Sequence, residues 1–98
     1  MFGIRIGFDN AIRPEEVVGP TRGRQMKCRV LPDNYTLIMD GRPDEPLNAC
    51  AAWLTAYPVR GSALLLKEDC SEGEAAFVAA TLVGLVGDIQ KNLEHVLS

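Results

Sequence analysis

The last quarter of the chain constrains its fold more than any other stretch. Ser71 and Glu74 have the three-residue spacing of a capping box, in which two side chains satisfy backbone N–H groups at a helix start. From there Val78, Leu82, Leu85, Val86, Ile89, Leu93, Val96 and Leu97 recur at intervals of three and four, one apolar stripe along a helical surface. The spacing predicts a helix from about residue 72 to 97. In a chain of 98 residues the remainder must supply the surface that this stripe covers.

A second line runs along the same segment. Ala76, Ala80 and Gly84 are four apart, Gly87 follows at three, and Ala79 and Val83 lie beside them. Small residues at this spacing let another backbone approach closely. An interior helical glycine costs about 1 kcal/mol relative to alanine, so two of them ask for a compensating contact. One reading packs the line on the protein's own sheet or first helix. The other starts from residues 75–86 being apolar nearly all the way round, whereas a two-layer domain covers only one side. It makes Ala76, Ala80, Val83, Gly84 and Gly87 a homodimer interface.

The first strand is read from FGIRIGFD, where Phe2, Ile4, Ile6 and Phe8 alternate with Gly3, Arg5, Gly7 and Asp9. The second face, bare backbone around one guanidinium, reads as an open sheet surface opposite the helices. In NAIRPEEVVGPT, Pro14 followed by two acids, with Gly19 behind, suggests a single helical turn in a loop. Residues 24–31 alternate again, Met26, Cys28 and Val30 against Gln25, Lys27 and Arg29, and the PDN turn then leads into YTLIMD. These two strands form a hairpin. Leu47, Cys50, Ala51, Leu54 and Tyr57 have helical spacing across residues 44–57, bounded by Pro46 and Pro58, and SALLLKE reads as a strand central in the sheet.

Residues 1–98 are therefore expected to form a single α+β domain of order β-β-β-α-β-α. A helix joining the third and fourth strands implies a parallel crossover, so the sheet is expected to be mixed and four-stranded, with two helices on one face. The nearest named path for this two-layer sandwich is a variant of the ferredoxin-like topology.

Cys28, Cys50 and Cys70 are odd in number, widely spaced and without a Cys-x-x-Cys pair, and the chain begins directly on a strand pattern rather than a leader. Reduced thiols and a cytoplasmic location are expected. The longest weakly polar run, residues 75–87, is short of the roughly 20 residues that cross a bilayer as a helix. Residues 1–31 carry six basic and three acidic side chains, a balance of +3, while residues 32–98 carry four basic and ten acidic, a balance of −6, within a net charge of −3. The asymmetry allows a basic patch on an acidic protein.

Several chemistries are disfavoured. The single histidine, His95, shares the polar side of the last helix with Asp88, Lys91 and Asn92 and reads as a solvated residue. One histidine and scattered cysteines lack the spacing of a zinc site, and no phosphate-binding glycine loop or nucleophile elbow is present. Cys70 precedes a helix, but Glu68, Asp69, Glu72 and Glu74 oppose a thiolate there; it reads as an apolar residue ahead of the cap, and Cys28 and Cys50 as core. No metal and no cofactor are expected.

Two surfaces could carry a function. Arg5, Lys27 and Arg29, flanked by Arg22 and Arg24, could line the open sheet face and bind an acidic protein. Single-stranded nucleic acid is disfavoured, because the alternation puts Phe2 and Phe8 on the opposite face and the aromatic content is low. Alternatively, Asp40, Arg42, Asp44, Glu68 and Asp69 could gather at the carboxyl ends of parallel third and fourth strands and hold a cation or small substrate, although acids at helix starts also act simply as caps. The leading expectation is a small non-enzymatic binding or regulatory protein acting through protein–protein contact as a homodimer. The competing one is a small ligand- or cation-binding enzyme at the acidic site.

Overall fold

The computed structural model describes residues 1–9, 11–32 and 34–97, with side chains described up to residue 88. Its elements are β1 (Phe2–Ile6), β2 (Ile12–Glu16), β3 (Arg24–Lys27), β4 (Tyr35–Met39), α1 (Ala49–Thr55), β5 (Ala63–Lys67) and α2 (Glu72–Leu97). The strands form one five-stranded sheet in the order β2-β1-β5-β4-β3, with every neighbouring pair antiparallel.

The α+β class stands, and the sheet differs from the expected one in two ways. The stretch around Pro14 is a strand, not a helical turn: β1 and β2 form a hairpin in which Ile6 faces Ile12 and Ile4 faces Pro14. Asp9 sets the turn, its Oδ1 accepting from the Ala11 N–H at 3.2 Å. Proline is tolerated because β2 is an edge strand. The fold therefore has five strands, not four.

The expected parallel crossover is also absent, since β4 and β5 are antiparallel with Met39 opposite Ala63. The connection between them holds a helix of only seven residues. Its two flanks pair with each other, through a Leu47–Arg60 bridge and the bonds Asn48 N–H to Val59 O and Gly61 N–H to Pro46 O. The chain is thus returned to the end of the sheet it left, which an antiparallel neighbour requires. A ferredoxin-like path, with its parallel crossovers, does not describe this sheet.

The α1 helix begins at Ala49, later than its apolar spacing suggests, because Asn48 is the cap. Asn48 is fully buried. Its Oδ1 accepts from the Ala51 N–H at 3.1 Å, and its Nδ2 donates to Ile6 O at 2.9 Å and Gly61 O at 2.8 Å. One side chain therefore starts the helix and joins it to β1 and to the approach to β5.

Period-two alternation sends Ile4, Ile6, Leu37 and Leu65 to one face of the sheet, where they meet Ala51 and Leu54 of α1 and Ala75, Ala79 and Leu82 of α2 in one buried cluster. Cys28 and Cys50 are buried there as expected. Phe8, beyond the end of β1, is substantially exposed, as is Val30 beyond the end of β3.

The opposite face is not left open. Because β2 and β3 lie at opposite edges, residues 17–23 must span the sheet between them. Part of that segment, with Val17, Pro20 and Thr21, lines a cleft of about 390 Å³ over Arg5, Ile38 and Leu64. Ile38 and Leu64 are buried beneath it. Among the described residues, no helix is long and apolar enough to cross a membrane.

Candidate functional site

Arg5, between its two glycines, is the centre of an ion-pair network. Its Nη2 lies 2.6 Å from Glu15 Oε2, its Nη1 2.6 Å from Asp40 Oδ2, and Ser62 Oγ donates to the other Asp40 oxygen at 3.0 Å. Burial alone would lower the Arg5 pKa; the hydrogen bonds to Glu15 and Asp40 outweigh it and raise the value, so the guanidinium stays charged. Gly3 leaves the surface clear for the leucines of β5: a Cβ there would lie 2.8 Å from Leu66 Cδ2 and 3.0 Å from Leu65 O.

Arg5 and Lys27 do not form one strip. Three strand steps, roughly 14 Å, separate β1 from β3, and β5 and β4 lie between them. The basic residues that the fold does assemble are Arg24, Lys27 and Arg29, which line a cleft of about 340 Å³ with Thr55 and Tyr57 along the β3 edge. Arg24 Nη1 donates to Tyr57 Oη at 3.0 Å, and its guanidinium carbon sits 4.9 Å from the ring centroid. The Arg29 N–H donates to Leu54 O at 2.8 Å, fixing this segment against the end of α1. Lys27 and Arg29 were legible in the sequence as candidate binding residues and Arg24 as flanking charge; Tyr57, from the other side of α1, was not.

The acidic group is dispersed. With β4 and β5 antiparallel, Asp40 leaves the sheet at one end and Glu68 and Asp69 at the other. Asp40 is bound to Arg5, and the Arg42 N–H donates to Glu45 Oε1 at 2.7 Å. Among the described residues, no group of three or more histidine, cysteine or acidic side chains could hold a metal ion. The expected acidic site at adjacent strand ends therefore has no geometric basis.

At the start of α2, Ser71 Oγ accepts from the Glu74 N–H at 3.2 Å, which is half of the expected capping box. The Glu74 carboxylate instead pairs with Lys67 Nζ at 2.6 Å. That hydrogen bond raises the Lys67 pKa. Burial raises the Cys70 pKa, with the Glu74 charge adding to it, and burial alone raises those of Cys28 and Cys50, the latter to about 11. None of these thiols is primed as a nucleophile. The His95 side chain lies outside the described residues.

The second candidate surface is the outer side of α2. Ala75, Ala79, Leu82 and Val86 turn inward, while Ala76, Phe77, Ala80, Val83 and Gly84 are exposed and Gly87 is partly so. Phe77 is 73% exposed, and among the described residues a Cβ built on Gly84 or Gly87 would meet nothing within 4 Å. The line of small residues thus does not pack on the protein's own sheet or first helix. Beside it, Phe77 and Leu85 with Val30, Leu31 and Trp53 line an apolar groove of about 220 Å³.

Comparison with protein-family models, curated proteins and solved structures finds no match to this chain.

Proposed function

We propose that this chain is a non-enzymatic protein–protein interaction module that works as a homodimer through the outer face of α2 and binds an acidic partner with its basic residues. The observation that carries this reading is the absence of any charged side chain between Glu74 and Asp88, over more than three helical turns, on a helix whose outward residues there include Ala76, Phe77, Ala80 and Val83. A helix face that ends in water is ordinarily charged or polar, and a continuous apolar surface of this kind marks a contact site. Its occupant is a second copy. Two-fold pairing sets Ala76, Ala80 and Gly84 against themselves, so two such helices can approach to within the usual 8–10 Å axial separation. Continuity with the groove beside Phe77 extends the contact beyond one line of side chains.

The test is molar mass by light scattering over a hundred-fold concentration range, for the wild type and for Val83→Glu and Ala80→Glu. A dimer that both substitutions convert to a folded monomer supports the reading; a wild-type monomer at every concentration overturns it.

A further inference from the structure

We infer that Phe77 of each copy seats in the apolar groove beside α2 of the other, so that two chains pair antiparallel along this helix and each closes the other's groove. This rests on reading the chain as a homodimer and specifies how the copies pack.

The groove is open and dry. Trp53 and Leu54 of α1, Leu31, and Leu82 and Leu85 of α2 wall it, and among the described residues no charged side chain lines it. Thr81, the one polar side chain on its α2 wall, donates its hydroxyl to Phe77 O at 2.9 Å within the helix. Water there finds almost no hydrogen-bond partner. Phe77 stands at the rim and does not fill the groove, since most of its side chain is exposed. The chain thus carries an unseated aromatic ring beside an unfilled apolar groove.

Helical geometry matches the two across a two-fold axis. Beside the line Ala76, Ala80 and Gly84, the next row at intervals of four is Phe77, Thr81 and Leu85, on the flank of α2 that borders the groove, while Val83 lies on the other flank. An axis that sets Ala80 against itself and Ala76 against Gly84 runs the helices antiparallel and keeps the groove flank on the same side in both copies. Phe77 is three residues before Ala80, so the partner's Phe77 arrives at the height of residue 83, midway between Thr81 and Leu85. The hole that receives it is bounded by Ala80, Thr81, Gly84 and Leu85. Among the described residues nothing lies within 4 Å of a Cβ placed on Gly84, so the ring passes over bare backbone into the groove. A parallel pair would carry the groove flank to the Val83 side of its partner and leave both grooves uncovered.

Area favours the same packing. The smaller stable interfaces bury roughly 600 Å² on each partner, more than a line of alanines and glycines presents. A seated aromatic ring adds about 150–250 Å². Trp53, 42% exposed, and Val30, 50% exposed, are covered by the same contact.

Light scattering and Trp53 emission over a hundred-fold dilution test this, Trp53 being the only tryptophan in the chain. The wild-type emission is expected to move to longer wavelength as the copies separate and the indole meets water. Phe77→Ala changes an exposed position, so the fold should persist while association weakens at least about ten-fold and the dilution-dependent shift disappears over the range in which the wild type is dimeric. A dimer indifferent to Phe77→Ala, or one whose Trp53 emission does not change on dilution, overturns the seating and leaves the homodimer standing. A monomer at every concentration overturns both, and a shift of that monomer's emission to shorter wavelength on phosphatidylcholine vesicles would give the face to a lipid surface instead.

Discussion

The Arg5 guanidinium and the Asp40 carboxylate, thirty-five residues apart in the chain, meet at 2.6 Å and hold the end of β4 to β1 across the intervening β5. Glu15 grips the same guanidinium from β2 at 2.6 Å, so a single cation spans four strands of the sheet. Its two partners are unequal to its loss. Replacing Arg5 with leucine leaves Glu15 and Asp40 facing one another over a partly buried surface and is expected to lower stability by roughly 1–3 kcal/mol. Asp40→Asn leaves Glu15 in place and should cost less than about 1 kcal/mol. Urea unfolding at low and high salt measures both, and equal losses for the two variants would show that the network is not centred on Arg5.

Asn48 carries the junction between α1 and the sheet. Asn48→Ala removes the cap of α1 and leaves the Ile6 and Gly61 carbonyls without their buried donor. The expected cost is about 2–4 kcal/mol, more than an exposed helix cap contributes, because the carbonyls are desolvated as well. Asn48→Asp keeps the acceptor but offers no donor to those carbonyls, so it should recover little of that loss. Thermal melting of the three proteins checks the order.

What the sequence made legible was local. The α2 helix is marked by residues within a few positions of one another, Ser71 capping Glu74 and a stripe at intervals of three and four, and it forms where that spacing places it. The β2 strand was hidden because Pro14 is compatible with a strand only at an edge with its nitrogen outward, and that position depends on where β1 and β5 lie. The antiparallel return from β4 to β5 was hidden for a similar reason, since it depends on the flanks of α1 pairing through Leu47 and Arg60. The small-residue line was legible and its direction was not: Ala75 and Ala76 are neighbours of the same character, and only packing decides that the first is buried and the second exposed. Among the basic residues, Arg5 looked like surface because its carboxylate partners are distant in the chain.

The buried thiols make stability sensitive to alkaline pH. Burial raises the Cys50 pKa from 9.0 to about 11, so the unfolded chain loses its proton before the native state does. A group whose pKa is raised on folding contributes stability that is complete below the unfolded value and lost as pH rises toward the folded one. The melting temperature should therefore fall between about pH 9 and pH 11, with Cys28 and Cys70 acting in the same direction. Cys50→Ala is expected to flatten that slope, and an unchanged slope would locate the sensitivity elsewhere. In the same window a thiol reagent should label the native protein far more slowly than the urea-unfolded chain.

Gly84 separates the stability of the fold from the stability of the assembly. Among the described residues nothing approaches its missing side chain, so within a monomer Gly84→Ala is expected only to improve the helix, by about 0.8–1.0 kcal/mol. Against a second copy packed along Ala76, Ala80 and Gly84, the added methyl stands between two backbones and pushes them apart. The expected outcome is a protein that resists urea better when dilute and monomeric, yet dissociates at higher concentration than the wild type. Concentration-dependent light scattering, read beside unfolding of dilute samples, tests the two effects separately. A gain in stability with unchanged association would place the close approach of the helices away from Gly84, and Ala80→Leu and Ala76→Leu, which add bulk about one and two turns earlier on the same line, would then show where along α2 the copies meet.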